Sequence, residues 1–253
     1  TPGHAESGPK FHAKTRPLAV HLHNTFPQAP HPKFQPEFPG GVELFYPTAP
    51  LRLTGADIHN KYTRFEDLDF GSYGVEKELD AYGWGTGDIR DAQGIEGLDQ
   101  SVALLLEFME KNGPFVGAIG FSCGATLTAI LCSLLEGNRR VNGWRFETST
   151  HPPLRFAVCY NGFMLTSINY KSCYYPKIQT PVLHVIGSFD PLIGELQTMG
   201  LAKRCSNGAV LFHPGGHYAT MKKLYVKTVT DFVSSRLWGR QEEEESEEDW
   251  VDI

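Results

Sequence analysis

Phe115-Val116-Gly117-Ala118-Ile119-Gly120-Phe121-Ser122-Cys123-Gly124, residues 115–124, decides the reading of this chain. An apolar run suited to a buried parallel strand ends in Gly-x-Ser-x-Gly. The following stretch, Ala125 to Leu135, predicts a helix closed by Gly137. A serine held on a sharp turn between strand and helix needs small neighbours two residues away on each side. Gly120 and Gly124 meet that need. Such a turn lifts the hydroxyl above the carboxyl end of a sheet. It also aims the next backbone N–H, that of Cys123, at a developing oxyanion.

Working outward, the chain alternates strand and helix. Ile95, Leu98, Val102, Leu105, Leu106 and Met109 share one face of a helix over 95–111, stopped by Asn112-Gly113-Pro114. Phe156 to Tyr160, Val182 to Ile186 and Ala209 to Phe212 read as further strands. Helices are predicted over 193–204 and 218–237. Upstream, Phe11, Leu18, Leu22 and Phe26 have helical spacing, but Pro17 predicts a break or two short helices. Val42 to Tyr46 reads as a short strand. Strands separated by helices of this length imply an α/β fold, a mainly parallel sheet with helices on both faces. Residues 48–90 carry no clear element and many aromatics, the mark of an ordered lid or pocket wall.

A serine hydroxyl is a weak nucleophile near neutral pH and needs a base oriented by a third group. The chain supplies candidates in the order serine, acid, histidine. The strand 182–186 runs into Gly187-Ser188-Phe189-Asp190-Pro191, and the strand 209–212 into His213-Pro214-Gly215-Gly216-His217-Tyr218. Asp190 stands where an acid at a strand end belongs. His217 follows a glycine pair able to bend the loop back over the site, so it is the expected base. His213 is read as a strand-end residue and His184 as a sheet-face or core histidine. Ser122, Asp190 and His217 are therefore the expected catalytic residues, with the Cys123 N–H as an oxyanion donor.

The same residues carry a family resemblance. Phe11-His12-Ala13-Lys14-Thr15, Gly113-Pro114-Phe115 before Gly120-Phe121-Ser122, Leu183-His184-Val185-Ile186-Gly187 before Asp190, and Pro214-Gly215-Gly216-His217-Tyr218 occur in order over residues 11–218. The chain resembles the family of serine hydrolases, a small fungal and animal group with the α/β-hydrolase fold. That resemblance implies esterase or thioesterase chemistry on a small-molecule acyl ester or acyl thioester. The likeness is to longer fungal members, which implies release or trimming of a polyketide-type chain in secondary metabolism, with a polyketide synthase acyl carrier as partner. The family usually has Gln after the nucleophile, where this chain has Cys123. Family members also begin with an apolar strand ending in His-Gly. This chain opens at Thr1-Pro2-Gly3-His4, which resembles the loop after that strand, so the first strand is missing from this chain. A chain complete at Thr1 implies a half-built oxyanion hole, and the favoured expectation is that an upstream segment belongs before Thr1. A non-catalytic small-molecule or protein binding module on the same fold is the rival reading.

Composition narrows the field further. The chain has 253 residues, 41% hydrophobic and 21% charged, which excludes a disordered or fibrous class. Its net charge of −6 is uneven: eight of the 29 acidic residues fall in 241–253, leaving a nearly neutral body that does not read as a nucleic-acid binder. A single domain over 1–240 and a solvated, disordered acidic tail over 241–253 are expected. No apolar run approaches the roughly 18 residues of a membrane span. Five cysteines without C-x-x-C spacing predict reduced, buried thiols in a cytoplasmic setting. His21-Leu22-His23 does not place two ligands on one helix face, and no nucleotide-binding loop is present, so neither metal nor cofactor is expected. Trp84 and Tyr82 are candidates for the acyl pocket and equally for a cover over the core from outside.

Overall fold

The computed structural model describes residues 1–28, 40–54, 80–87, 94–137, 139, 141, 143–144 and 149–238. Most of the expected lid region (55–79 and 88–90) and the acidic tail lie outside these residues. The described elements run α1 (Gly8–Thr25), β1 (Leu51–Arg52), β2 (Tyr82–Gly83), α2 (Leu98–Asn112), β3 (Gly117–Phe121), α3 (Cys123–Leu135) and β4 (Phe156–Tyr160). A 3-10 turn (Ile168–Tyr170) and α4 (Lys171–Tyr174) follow, then β5 (Val182–Gly187), α5 (Glu195–Ala202), β6 (Gly208–His213) and α6 (Lys223–Leu237).

Strands β3, β4, β5 and β6 form a parallel sheet in that order. Side chains alternate across it, as the period of two requires. Ala157, Cys159 and Val182 join the core under α3, with Ala125, Ile130 and Leu201. Val158, Tyr160, Leu183 and Val185 face the other way, against Leu18 and Leu22 of α1 and Val226, Val229 and Val233 of α6. Each such Leu or Val contributes about 1.5–3 kcal/mol on burial. Helix α3 has almost no exposed face, so it carries no polar stripe and its small residues sit close to the sheet. This packing fixes the end of β3 relative to the ends of β4 and β5.

Three local expectations are corrected. Helix α1 runs unbroken through Pro17. Pro17 and Ala13, whose carbonyl loses its hydrogen bond, both lie on the solvent face, where water can satisfy the freed oxygen. Val42 to Tyr46 is not a strand, because its backbone joins no ladder. Its side chains are used in packing instead: Val42 and Leu44 against the α1–α6 core, and Phe45 edge-on to Phe108 and Phe115. Within 48–90, β1 and β2 pair antiparallel, with Leu51 opposite Gly83 and Arg52 opposite Tyr82.

The outer edge of β3 carries the start of the chain. The Thr1 ammonium donates to the Ile119 carbonyl at 2.7 Å, and the Phe121 N–H donates to the Thr1 carbonyl at 3.2 Å. From Thr1 an apolar groove of about 420 Å³ runs along β3 between α1 and α2, lined by Phe11, Leu18, Leu105, Phe108, Phe115 and Ile119 among others.

Candidate active site

Ser122 sits between the last residue of β3 and the first of α3, with φ 52° and ψ −123°. A positive φ is uncommon for a residue with a Cβ and marks stored strain. The surrounding hydrogen bonds hold it there. The Ser122 N–H donates to the Tyr160 carbonyl at 2.8 Å, and the Ser122 carbonyl accepts from Ala125 N–H at 2.9 Å and Thr126 N–H at 3.1 Å. The flanking glycines are required sterically: a Cβ at Gly120 would lie 2.5 Å from the Gly124 carbonyl oxygen, and one at Gly124 would lie 2.2 Å from that of Pro2. Among the described residues no backbone carbonyl accepts the Cys123 N–H, which opens α3 as one of its unsatisfied amide groups.

The loops after β5 and β6 are laced together above the sheet. Ser188 N–H donates to the His213 carbonyl at 2.9 Å, and Phe189 N–H to that of Gly215 at 3.0 Å. This lacing brings Asp190 and His217 to Ser122. The His217 ring meets Asp190 Oδ2 through Nδ1 at 2.7 Å and Ser122 Oγ through Nε2 at 2.8 Å. An ionised carboxylate only accepts, so Nδ1 carries the imidazole proton and Nε2 faces the hydroxyl as an acceptor. The Phe121 ring lies 5.0 Å from the imidazole and covers it. Asp190 Oδ1 accepts from Leu192 N–H at 2.8 Å and Ile193 N–H at 2.9 Å. Burial opposes the Asp190 charge, but the His217 hydrogen bond and charge, with these two amides, outweigh it and hold the carboxyl below its ordinary value. The sequence-predicted serine, acid and histidine are thus brought together, each from the carboxyl end of a strand.

The other histidines are placed apart from this group. His213 ends β6, is 2% exposed and packs against the rings of Tyr218 and Tyr225. Burial, with Lys222 adding to it, pushes its imidazole down. His184 is 1% exposed inside β5, and burial lowers it to about 4. His23 Nδ1 bonds the Ala19 carbonyl of its own helix. Among the described residues no cluster of three potential metal ligands occurs, and no helix is long and apolar enough to cross a membrane. All five cysteines are free thiols, with Cys123 half-buried and the rest buried. Burial raises the Cys123 thiol to about 11, so it stays protonated near neutral pH.

Trp84 packs into the core, and Tyr82, partly buried, packs against it. Trp84 is 2% exposed, and its indole N–H donates to the Pro2 carbonyl at 2.8 Å. That bond pins the segment 1–5 across the elbow. A Cβ at Gly3 would lie 3.5 Å from the Ser122 Cβ, so this segment passes directly beside the serine. Gly3 N–H donates to the buried Glu6 carboxylate at 3.2 Å, and Glu6 pairs with Lys14 at 2.7 Å.

Sequence reading missed Asn161. It follows the last residue of β4, is fully buried and has φ 49°. Its amide donates to Asp190 Oδ2 at 2.5 Å and to the Gly216 carbonyl at 3.3 Å, and its Oδ1 accepts from Gly187 N–H at 3.3 Å. The available signal was Asn161-Gly162 directly after an apolar strand, a dipeptide that tolerates left-handed backbone.

The chain matches the family model described as serine hydrolase (FSH1) over residues 1–229. It is 30% identical over 201 residues to a protein named esterase OVCA2 from Danio rerio, covering 76% of this chain and 83% of that one. It is 32% identical over 196 residues to a Schizosaccharomyces pombe protein named dihydrofolate reductase, covering 77% of this chain and 41% of that one. This chain therefore spans less than half the length of that relative. Among solved structures, Zea mays acyl-protein thioesterase 2 superposes with a TM-score of 0.54 at 17% identity, covering 93% of this chain and 91% of that one. A likeness at that identity concerns the α/β-hydrolase fold.

Proposed function

We propose, from the premise that this chain belongs to the serine hydrolase (FSH1) family, that it cleaves carboxylic esters or acyl thioesters through an acyl-serine intermediate. The observation that carries this reading is the His217 ring, bonded at one nitrogen to Asp190 and at the other to Ser122. In the first half-reaction Ser122 Oγ attacks the acyl carbon while its proton passes to His217 Nε2. Asp190 keeps the ring in the working tautomer and stabilises the imidazolium. The tetrahedral oxyanion is held by the Cys123 N–H, which opens α3 beside Ser122. His217 then returns the proton to the departing alkoxide or thiolate. In the second half-reaction water loses a proton to His217 and attacks the acyl-serine, and His217 passes that proton to Ser122 Oγ as the acid departs.

The thioester arm is supported by the fold shared with an acyl-protein thioesterase. The resemblance to longer fungal members favours a polyketide-type acyl chain delivered on an acyl carrier. The test is steady-state hydrolysis of p-nitrophenyl esters of increasing chain length and of acyl-coenzyme A thioesters, by the parent chain and Ser122→Ala. Turnover of at least one series, abolished in the variant, is expected. Equal turnover by both proteins would sink the proposal.

A further inference from the structure

We infer that Asn161 is a positioning residue for this hydrolysis, a clamp that ties the acid loop to the histidine loop and fixes the Asp190 carboxylate against His217. The inference rests on the reading of Ser122, Asp190 and His217 given above. Its first support is placement. The Asn161 N–H donates to the Val185 carbonyl at 2.9 Å, which extends the β4–β5 ladder by one residue and aims the side chain across the strand ends. Its second support is chemistry. The amide donates to Asp190 Oδ2 and to the Gly216 carbonyl of the histidine loop, and accepts from Gly187 N–H at the root of the acid loop. Only a side chain with both a donor and an acceptor end can make all three bonds. Its third support is backbone conformation. Asn161 is fully buried at φ 49°, a left-handed turn that Gly would serve better if the turn alone mattered.

The consequence for catalysis is geometric. Asp190 Oδ1 is anchored by the Leu192 and Ile193 amides, whereas Oδ2, the oxygen that meets His217, has Asn161 as its other donor. Without that donor, rotation of the carboxylate about its Cβ–Cγ bond is resisted at one oxygen by the protein frame and at the other by the mobile imidazole alone. Asn161 bonds neither Ser122 nor the acyl position, so its effect passes through Asp190 and the Gly216 loop.

Two variants separate the clamp from the turn. Asn161→Gly adopts the left-handed backbone freely and removes the side chain. Asn161→Asp keeps the shape but replaces the donor with an oxygen that repels Asp190. Competent sites are counted by fluorophosphonate labelling, and kcat per labelled site and KM are measured on one p-nitrophenyl ester. The clamp predicts a fall in kcat of about tenfold in Asn161→Gly, and at least as much in Asn161→Asp, with KM within twofold. Retention of kcat per labelled site within twofold in both variants, or a loss confined to KM or to the number of labelled sites, overturns it. If the parent chain itself neither labels nor turns over, the hydrolase reading fails and takes this inference with it.

Discussion

The strand ends and the body of the sheet treat buried polar groups in opposite ways. At the ends of β4, β5 and β6, the Asn161, Asp190 and His217 side chains spend every polar atom on a neighbour. Within the sheet, His184 Nε2, His213 Nε2 and the Tyr160 hydroxyl are buried with no hydrogen-bond partner among the described residues. Buried polar groups are costly unless bonded, so the first arrangement is a rigid, oriented device. The second consists of groups kept neutral by burial, and they make stability depend on pH. Changes at the strand ends are thus expected to remove activity from a folded protein, and changes in the sheet to alter stability with the site intact.

The sharpest break on the activity side is Ser122→Ala, expected to cost roughly 10⁴–10⁶ in kcat with an unchanged melting temperature. Asp190→Asn keeps the shape but offers His217 an amide where it needs an acceptor. A loss of about 10²–10⁴ in kcat is expected, read in the same assay. Gly120→Ala crosses the divide. Its Cβ would stand 2.5 Å from the Gly124 carbonyl, and backbone cannot give way as a side-chain tip can. About 2–3 kcal/mol of stability and a drop of roughly 5–10 °C in Tm are expected in a thermal melt. Trp84→Phe removes the donor that pins Pro2 across the elbow. It should lower kcat about three- to tenfold while KM stays put, and a loss seen only in Tm would assign Trp84 to packing alone.

The smallest effect concerns the sheet. His184 has its pKa lowered to about 4 by burial, against an ordinary 6.5. Between those values the unfolded chain binds the proton and the folded one does not. The contribution is fully present above about 6.5 and is lost as pH falls toward 4. His184→Leu should therefore show a flatter fall of Tm across that window, with kcat at pH 7 retained. An unchanged slope would place the acid sensitivity elsewhere.

The catalytic candidates were legible because their signals are local. Gly120 and Gly124 around Ser122 report a steric demand, and the apolar run before Asp190 reports a buried parallel strand, while the run before His213 is a parallel strand that is mostly exposed. Strand β4 falls on its predicted residues, since a strand buried on both faces is a continuous apolar block. What escaped depends on distant partners. Pro17 breaks no helix because its side of α1 faces water, which sequence spacing alone does not reveal. Val42 to Tyr46 has the composition of a strand, but its backbone joins no ladder among the described residues. Trp84 reads equally as a pocket aromatic and as a cover on the core, and its indole bond to Pro2 joins residues 82 apart in sequence. Asn161 was silent because its meaning lies in three bonds to loops 26 to 55 residues away.

The central claim is that the His217 bridge makes Ser122 a nucleophile. The direct measurement is intact mass after exposure to a fluorophosphonate, which phosphonylates an activated serine and releases fluoride. One adduct per chain, absent in Ser122→Ala, is the predicted result. A folded parent chain that takes up no adduct, or a Ser122→Ala variant labelled as fully as the parent, would contradict it.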